Sequence, residues 1–410
     1  MKRVADIDDI IFFLFACWLI VDSINGYMLR NNMFSISQFY KSLVTLIVVI
    51  RCYNSRDVMM PLFLILVYLT FYSSFLGLIG EDISDSVIFL SKFLTSFLFF
   101  FYFLYIKKVD YSFYINNVML VIKMNFIVFS FNILVGLFGW GYHSYGGEGG
   151  FGSHGFLYSI NELSGVIGAT FPWVFYYCKT KLSLSKYLMC AFCLFFLSFS
   201  MSTKSGIATT IVSFLLITYF YGNKREKMIV VLVTLFSLLG IAIYINSILQ
   251  SDTAIMQRFV YFLEKDGLEV ALTSGRLQYW QLEQKELYES GLFPLLFGLG
   301  GGRTVEMDPF DALLNCGILG LLFVIFLYAI LLVAPFLRKY KTLRYNKVVF
   351  SSNLLLIIVS VGGGHILFSS TAGMLIAISN SLLFGSNIGL KQKYMLLSIF
   401  RNKIYSYNRK

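Results

Sequence analysis

Charged residues are scarce in this chain. They make up 13% of its 410 residues, while hydrophobic residues make up 58%. A soluble domain usually carries about 25% charged residues, so the composition excludes an ordinary water-soluble protein. The net charge is +11, but the basic residues lie in short segments between apolar runs, and nothing in the pattern indicates nucleic-acid binding. We therefore expect a membrane protein that binds no nucleic acid.

Clusters of metal-binding or disulfide-forming residues are also lacking. The six cysteines lie mostly inside apolar runs or near predicted span ends, so they predict no disulfide framework. Cys190 and Cys193 have C-x-x-C spacing, but both lie within one apolar run. The three histidines, His143, His154 and His365, are not at ligand spacing with carboxylates. The sequence therefore predicts neither a bound metal nor an organic cofactor.

Apolar runs of about twenty residues, the length that crosses a bilayer core, dominate the chain. The first run is followed by no small-residue cleavage site, which predicts a transmembrane helix rather than a cleaved signal peptide. We predict an all-α, polytopic integral membrane protein with a single transmembrane domain over residues 1–410. About twelve transmembrane helices are expected, at 10–29, 34–50, 58–79, 87–106, 117–139, 157–178, 187–202, 205–222, 228–249, 311–336, 349–368 and 371–390.

The basic residues predict how these spans are oriented. If the N-terminus is cytoplasmic and the spans alternate, the inside segments hold most of the 33 lysines and arginines. The acidic segment 81–85 then lies outside. This agreement with the positive-inside rule predicts that both termini are cytoplasmic and that the long polar loops are external.

Two predicted external loops are longer than the others. The first, 140–156, is rich in glycine and aromatic residues, which suit stacking on sugar rings or a belt at the membrane interface. The second, 250–310, is expected to be partly helical, with a helix near 255–263 that lies on the membrane surface or packs on the bundle as a plug. A loop of about sixty residues without a function would be unusual.

The second loop contains two arginines that are candidates for anion binding. Thr273 or Ser274 can cap a helix whose first turn holds Arg276, and a helix N-terminus beside a guanidinium suits a phosphate or diphosphate. A glycine run at 298–302 precedes Arg303 and lets the backbone approach an anion. The alternatives are a solvated arginine in a capped turn and a glycine run that only turns the chain.

Other polar residues lie near the predicted outer boundary of the spans. Asp308 and Asp311 are candidates for a general base or for binding sugar hydroxyls, or they are hydrated acids that favour a helix start. Asn161 and Glu162 lie one turn inside a span, where an ionisable residue indicates a functional site. Lys204 lies in a tight external turn and is interpreted in the same way. Four further residues are interpreted as side chains that extend toward a nearby interface: Asp22, Lys41, Lys92 and Lys123.

Several motifs follow one another in a specific order. A glycine-rich external loop leads into a span at Asn161-Glu162, and a Ser-x-basic-Ser-Gly turn follows at 202–206. The second loop carries Ser274-Gly275-Arg276 with Trp280 downstream. It ends in Phe-Gly-Leu-Gly, an acidic stretch and the Asn-Cys-Gly-Ile-Leu-Gly segment that ends at Gly320. In this order the chain resembles the O-antigen polymerase (Wzy) and O-antigen ligase superfamily of bacterial membrane glycosyltransferases.

The resemblance implies a GT-C-type fold in the bacterial plasma (inner) membrane and a metal-independent, inverting glycosyl transfer on its external, periplasmic face. Polyprenyl-diphosphate-linked oligosaccharides would be donor and acceptor, with membrane lipid as surroundings and a chain-length regulator protein as an optional partner. The expected catalytic residues are Arg276, Arg303 and Asp308. The expected substrate-binding residues are Lys204, His154, Asn161, Glu162, Trp280 and Asp311.

Two departures from the family pattern bear on the function. The turn at 202–206 usually carries arginine, where this chain has Lys204. Ligases tend to have His-Asn just before span ten, where this chain has Asp308-Pro309. The second departure favours a polymerase of O-antigen or capsule repeat units. An O-antigen ligase that transfers polymer to a lipid acceptor is one alternative. A lipid-linked oligosaccharide flippase or transporter is another, and we would expect it to keep charges within the bundle and to lack a long external loop.

Overall fold

The computed structural model describes residues 5–80, 82–145, 151–228, 230–232, 275–337 and 343–384. In these parts the protein is almost entirely α-helical, with one two-stranded antiparallel sheet. Six of the described helices are long and apolar enough to cross a membrane: α4, α5, α6, α8, α9 and α12. The expected all-α membrane fold is therefore confirmed at this level. The expected helix near 255–263 and most of the expected span 228–249 lie outside the described residues.

The helices follow one another with short connections. A hairpin of two strands, β1 (Tyr142–Tyr145) and β2 (Phe151–Gly155), separates α6 from α7. A 3₁₀ turn, Ala334–Phe336, follows α12. In chain order the helices are α1 (Ala5–Ala16), α2 (Trp18–Arg30), α3 (Ser37–Cys52), α4 (Arg56–Ile79), α5 (Ile83–Val109), α6 (Tyr111–Leu137), α7 (Ile160–Lys181), α8 (Leu184–Met201), α9 (Lys204–Tyr221), α10 (Arg276–Glu289), α11 (Leu292–Phe297), α12 (Asp308–Val333), α13 (Asn346–Gly363) and α14 (Ser370–Leu383).

Two predicted spans differ from the helices that form. The first run is divided into α1 and α2 at Cys17, whose φ of −83° and ψ of 3° leave the helical region. No proline or glycine marks this break, so the sequence did not indicate it. Between α13 and α14 the segment 364–369 is not helical. The backbone N–H groups of Ile366 and Leu367 bond to a side chain of α12 instead, so they are not used in a helix.

Aromatic side chains make up much of the core. Phe12, Phe15 and Trp18 from α1 and α2 pack against Phe99 and Phe103 of α5, and all five are buried. The rings of Phe15 and Phe99 meet edge to face, with centroids 4.9 Å apart. Such pairs contribute about 0.5–1.5 kcal/mol each beyond their burial. This cluster joins the N-terminal helices to the rest of the bundle.

Polar groups gather at two opposite ends of the bundle. One end, called the hairpin end below, contains the β1–β2 hairpin, the turn between α8 and α9, the loop 298–307 and the segment 364–369. Gly152 of the hairpin lies against Ser202 in the turn between α8 and α9. Gly300 of the loop 298–307 lies against Ser86 near the start of α5. The other end, called the basic end, holds buried or paired cations. Its ion pairs include Arg51–Asp8 at 2.9 Å, Lys179–Glu226 at 2.7 Å and Lys108–Asp57 at 2.6 Å.

Candidate functional site

A break in α12 creates the framework of the candidate site. Gly317 has φ 66° and ψ −164°, so the helix is interrupted there. The carbonyl of Leu314 then accepts a hydrogen bond from the N–H of Leu299 at 2.7 Å. A Cβ atom on Gly317 would lie 2.3 Å from the backbone of Leu296. The loop after α11 therefore docks into the broken helix. Its backbone N–H donates to the Leu314 carbonyl, which in an unbroken helix would accept a hydrogen bond from the next turn of that helix.

The glycine run 298–302 serves this close packing. Gly298 has φ 94°, and a Cβ atom there would lie 2.2 Å from the backbone of Asn315. Only glycine tolerates a φ of 94° without strain. In the same run the N–H of Gly301 donates to the hydroxyl of Ser86 at 2.6 Å. These glycines anchor the loop to α12 and α5, and their predicted approach to an anion stays a prediction.

Glutamates hold both of the predicted arginines beside this loop. The guanidinium of Arg303 donates two hydrogen bonds to the carboxylate of Glu286, at 2.5 and 2.7 Å, and also contacts Glu283 at 3.3 Å. This charge lowers the pKa of Glu286. Arg276 donates to Glu306 at 2.9 and 3.3 Å. Glu306 has φ 63°, an uncommon conformation for a residue with a side chain.

The helix α10 begins after Gly275, its N-cap residue, which has φ 84°. Thr273 and Ser274, the predicted capping residues, lie outside the described residues. Arg276 lies in the first turn of this helix, as predicted. Later in the helix Trp280 stacks on Phe310, with ring centroids 4.5 Å apart. That stacking packs α10 against the start of α12 and sets where Arg276 lies.

Two carboxylates at the start of α12 meet a histidine from much later in the chain. Asp308 and Asp311 are fully buried. Oδ2 of Asp311 lies 3.1 Å from Nδ1 of His365, although neither atom makes a hydrogen bond of regular geometry. Oδ1 of Asp311 accepts the N–H of Val305 at 2.5 Å. The expectation that no histidine is grouped with carboxylates is therefore wrong for His365, because sequence spacing does not reveal contacts between distant segments.

Asp308 fixes the segment that carries this histidine. Its carboxylate accepts hydrogen bonds from the hydroxyl of Ser360 and from the backbone N–H groups of Ile366 and Leu367, the last at 2.9 Å. A buried carboxylate requires such partners, because an unpaired one is costly in an apolar interior. The position of His365 therefore depends on Asp308 as well as on Asp311.

The electrostatics of His365 suit proton transfer. Burial lowers its pKa, but the contact with Asp311 and the charges of Asp308 and Glu306 outweigh burial, so the pKa is raised overall. Ligand atoms of Asp308, Asp311 and His365 lie within 4.8 Å of one another, close enough for a metal ion. However, the oxygens of Asp308 already accept from a hydroxyl and two amides. The group therefore fits a histidine oriented by a carboxylate better than a metal centre.

Asn161 and Glu162 lie in the first turn of α7, next to the same segment. The carboxylate of Glu162 accepts a hydrogen bond from the hydroxyl of Ser369. The backbone oxygen of Asn161 would lie 3.5 Å from a Cβ atom on Gly364. The predicted pair is thus brought beside the chain segment of His365.

Lys204 and His154 lie elsewhere at the hairpin end. Lys204 is exposed at the first position of α9, and the neighbouring Ser205 hydroxyl bonds that of Ser164 in α7 at 2.7 Å. His154 is buried, its ring stacks on Tyr142, and its Nδ1 contacts the carbonyl oxygen of Leu157. Burial lowers the pKa of His154. Its contacts hold the hairpin together, and it touches neither the arginines nor the α12 carboxylates.

No protein-family model and no curated protein matches this chain. The resemblance to the polymerase and ligase superfamily therefore rests on the order of the motifs. The structure adds the geometry of three neighbouring parts: α10, the loop 298–307 and the start of α12.

Proposed function

We propose that the protein is a polymerase that joins polyprenyl-diphosphate-linked glycan units at the outer face of the bacterial plasma membrane. The observation that carries the proposal is made at one end of an apolar helical bundle. There the loop 298–307 holds Arg303, pairs with Arg276 through Glu306, and contacts the buried Asp311 that lies beside the half-buried His365. Cations for a diphosphate and a base for a hydroxyl are the two groups that such a glycosyl transfer requires. The motif order favours the same family.

In the proposed reaction, a hydroxyl of the acceptor glycan attacks the anomeric carbon of the donor. The new bond joins this oxygen to the anomeric carbon, while the bond from that carbon to the diphosphate breaks. The diphosphate leaves with the electron pair, and Arg276 and Arg303 neutralise its charge after exchanging their glutamate partners for it. The hydroxyl proton passes to His365, and Asp311 stabilises the imidazolium. No metal ion is required.

The roles of the other expected residues follow from their positions. Asp308 orients the His365 segment rather than contacting substrate. Asn161 and Glu162 border that segment on the α7 side. Trp280 packs α10 in place. We keep Lys204 as a second cation for the lipid-linked substrate, since it is exposed at the hairpin end.

The test is complementation of a strain that lacks the gene, with surface polysaccharide separated as a ladder on a gel. We expect Arg276→Ala to abolish long chains, because removing one donor that stabilises a developing negative charge costs about 10²–10³-fold in rate. Lys285→Ala is the matched control, since Lys285 is an exposed cation on the same helix. Full-length chains from the Arg276→Ala strain would remove Arg276 from the catalytic residues.

The deletion strain also separates the alternative functions. Surface glycan limited to a single repeat unit indicates a polymerase, and lipid-linked polymer left unattached indicates a ligase. Absence of repeat units from the outer leaflet indicates a flippase. One observation favours this last class: charged residues of α2, α3, α5 and α7 face a cleft within the bundle. The arginine-rich loop site, which a flippase does not need, favours the polymerase.

A further inference from the structure

The hairpin end contains an open cleft of about 390 Å³ between α2, α3, α5, α7 and α14. This volume lies in the range of small-molecule sites, about 300–1,000 Å³. Side chains of both charges line it, namely Asp22, Lys41, Lys92 and Glu162, together with several serine and threonine hydroxyls. Ionisable residues on apolar helices are costly and indicate function by default. The earlier interpretation that Asp22, Lys41 and Lys92 only extend toward an interface does not account for a shared cleft.

Two of these charges are already neutralised. Lys41 pairs with Asp22 at 2.8 Å. The hydroxyls of Ser37 and Thr371 donate to the same carboxylate, at 2.6 and 2.7 Å. Asp22 and Lys41 therefore form one side of the cleft, where their contacts join α2, α3 and α14. As an ion pair they add no net charge to the cleft.

The other two charges remain able to bind a ligand. Within the described residues Lys92 is exposed and makes no ion pair, although its ammonium group can donate three hydrogen bonds. Glu162 accepts one hydrogen bond, from Ser369, and a carboxylate can accept about four. The cleft thus offers one strong donor on α5 and one strong acceptor on α7, and a ligand with several hydroxyl groups can bond to both.

The cleft lies beside the chain segment that carries the proposed base. Ser369, which bonds Glu162, belongs to the same short segment as His365, and Thr371 of the cleft wall follows it in α14. At the rim, Tyr158 is exposed, and its ring meets that of Tyr142 edge to face at 5.8 Å. An exposed aromatic ring can pack against the apolar face of a sugar.

We propose that this cleft binds the glycan of the acceptor unit, with Lys92 and Glu162 holding its hydroxyl groups while the acceptor hydroxyl reaches His365. This assignment rests on the proposed polymerase function. It gives the two substrates different binding sites: Arg276 and Arg303 bind the donor diphosphate, and the cleft binds the acceptor sugars. The charged side chains of Lys92 and Glu162 in the lining do not suit a lipid tail.

The probe is the free repeat-unit oligosaccharide, released by mild acid from the lipid-linked unit that accumulates in the deletion strain. It carries the acceptor hydroxyl but has no diphosphate, so Arg276 and Arg303 do not contribute to its binding through a diphosphate. Binding to the full-length protein in lipid nanodiscs is measured by saturation-transfer NMR. We expect Lys92→Ala to weaken binding at least about tenfold, because a hydrogen bond to a charged group is stronger than one between neutral groups. Glu162→Gln should weaken it less.

Control variants distinguish a site from a general effect. Lys123→Ala removes an exposed lysine of α6 that does not line the cleft. Arg276→Ala removes a cation proposed to bind the diphosphate. Both variants should bind the oligosaccharide normally. Gln38→Trp fills the cleft from an exposed position of α3 and should abolish binding even if Lys92→Ala does not fold. Failure of the unaltered protein to bind, or unchanged binding by both Lys92→Ala and Gln38→Trp, would overturn the proposal. Binding that depends on Lys92 in a protein that makes no polymer would refute the polymerase and leave the glycan site standing.

Discussion

At the scale of single residues, Asp311 sets the chemistry of His365. A carboxylate at 3.1 Å favours the imidazolium, so the pKa of His365 is raised even though burial alone would lower it. A base with a raised pKa accepts a proton more strongly, but it is available only at a pH above that pKa. His365 comes from the segment after α13, which brings it beside Asp311 at the start of α12.

The pH dependence of the proposed polymerisation tests this pair. The rate should rise with pH through the raised pKa of His365, since only the neutral imidazole can accept the proton. Asp311→Asn removes the main group that raises this pKa, so the acid limb of the pH–rate profile should move to lower pH. His365→Gln should reduce the rate by about 10²–10⁴-fold, while His143→Gln, at an exposed position of β1, should not. An acid limb that stays in place in Asp311→Asn would show that another group titrates.

At the scale of elements, the interrupted α12 is the part on which the site depends. The break at Gly317 lets the loop 298–302 dock, and Asn315 then holds the backbone oxygen of Arg303 at 2.6 Å. The sequence showed both glycine motifs and their order. It could not show that the loop 298–302 docks at the break in α12. A glycine indicates that another backbone can come close, but not which part of the chain that backbone belongs to.

Gly317→Ala should therefore destabilise the protein and lower its activity together. A side chain at this conformation costs about 1–3 kcal/mol of unfolding free energy, and the added Cβ would also meet the backbone of Leu296 at 2.3 Å. Gly362→Ala is the matched control, because nothing lies within 4 Å of its added Cβ. The melting temperature in detergent, followed by size-exclusion chromatography after heating, should fall only for Gly317→Ala. Equal melting temperatures would mean that α12 can close the break.

At the scale of the whole molecule, composition and run length were enough to predict an all-α membrane protein, because the bilayer imposes both. Contacts between distant helices were not predictable. The ion pair between Asp22 and Lys41 joins α2 to α3, and either residue alone resembles a lysine or aspartate near an interface. The group of Asp308, Asp311 and His365 was hidden for the same reason.

The orientation of the bundle is the remaining prediction at this scale. We expect the basic end to face the cytoplasm, as the positive-inside rule requires, so that the hairpin end is external. Single cysteines in a background without the six native ones should show this with a membrane-impermeant maleimide. Trp140→Cys, exposed beside β1, should react in intact cells, whereas Asp57→Cys, exposed at the basic end, should react only after permeabilisation. The reverse pattern would place His365 and both arginines on the cytoplasmic side, where they could not act on glycan units in the outer leaflet.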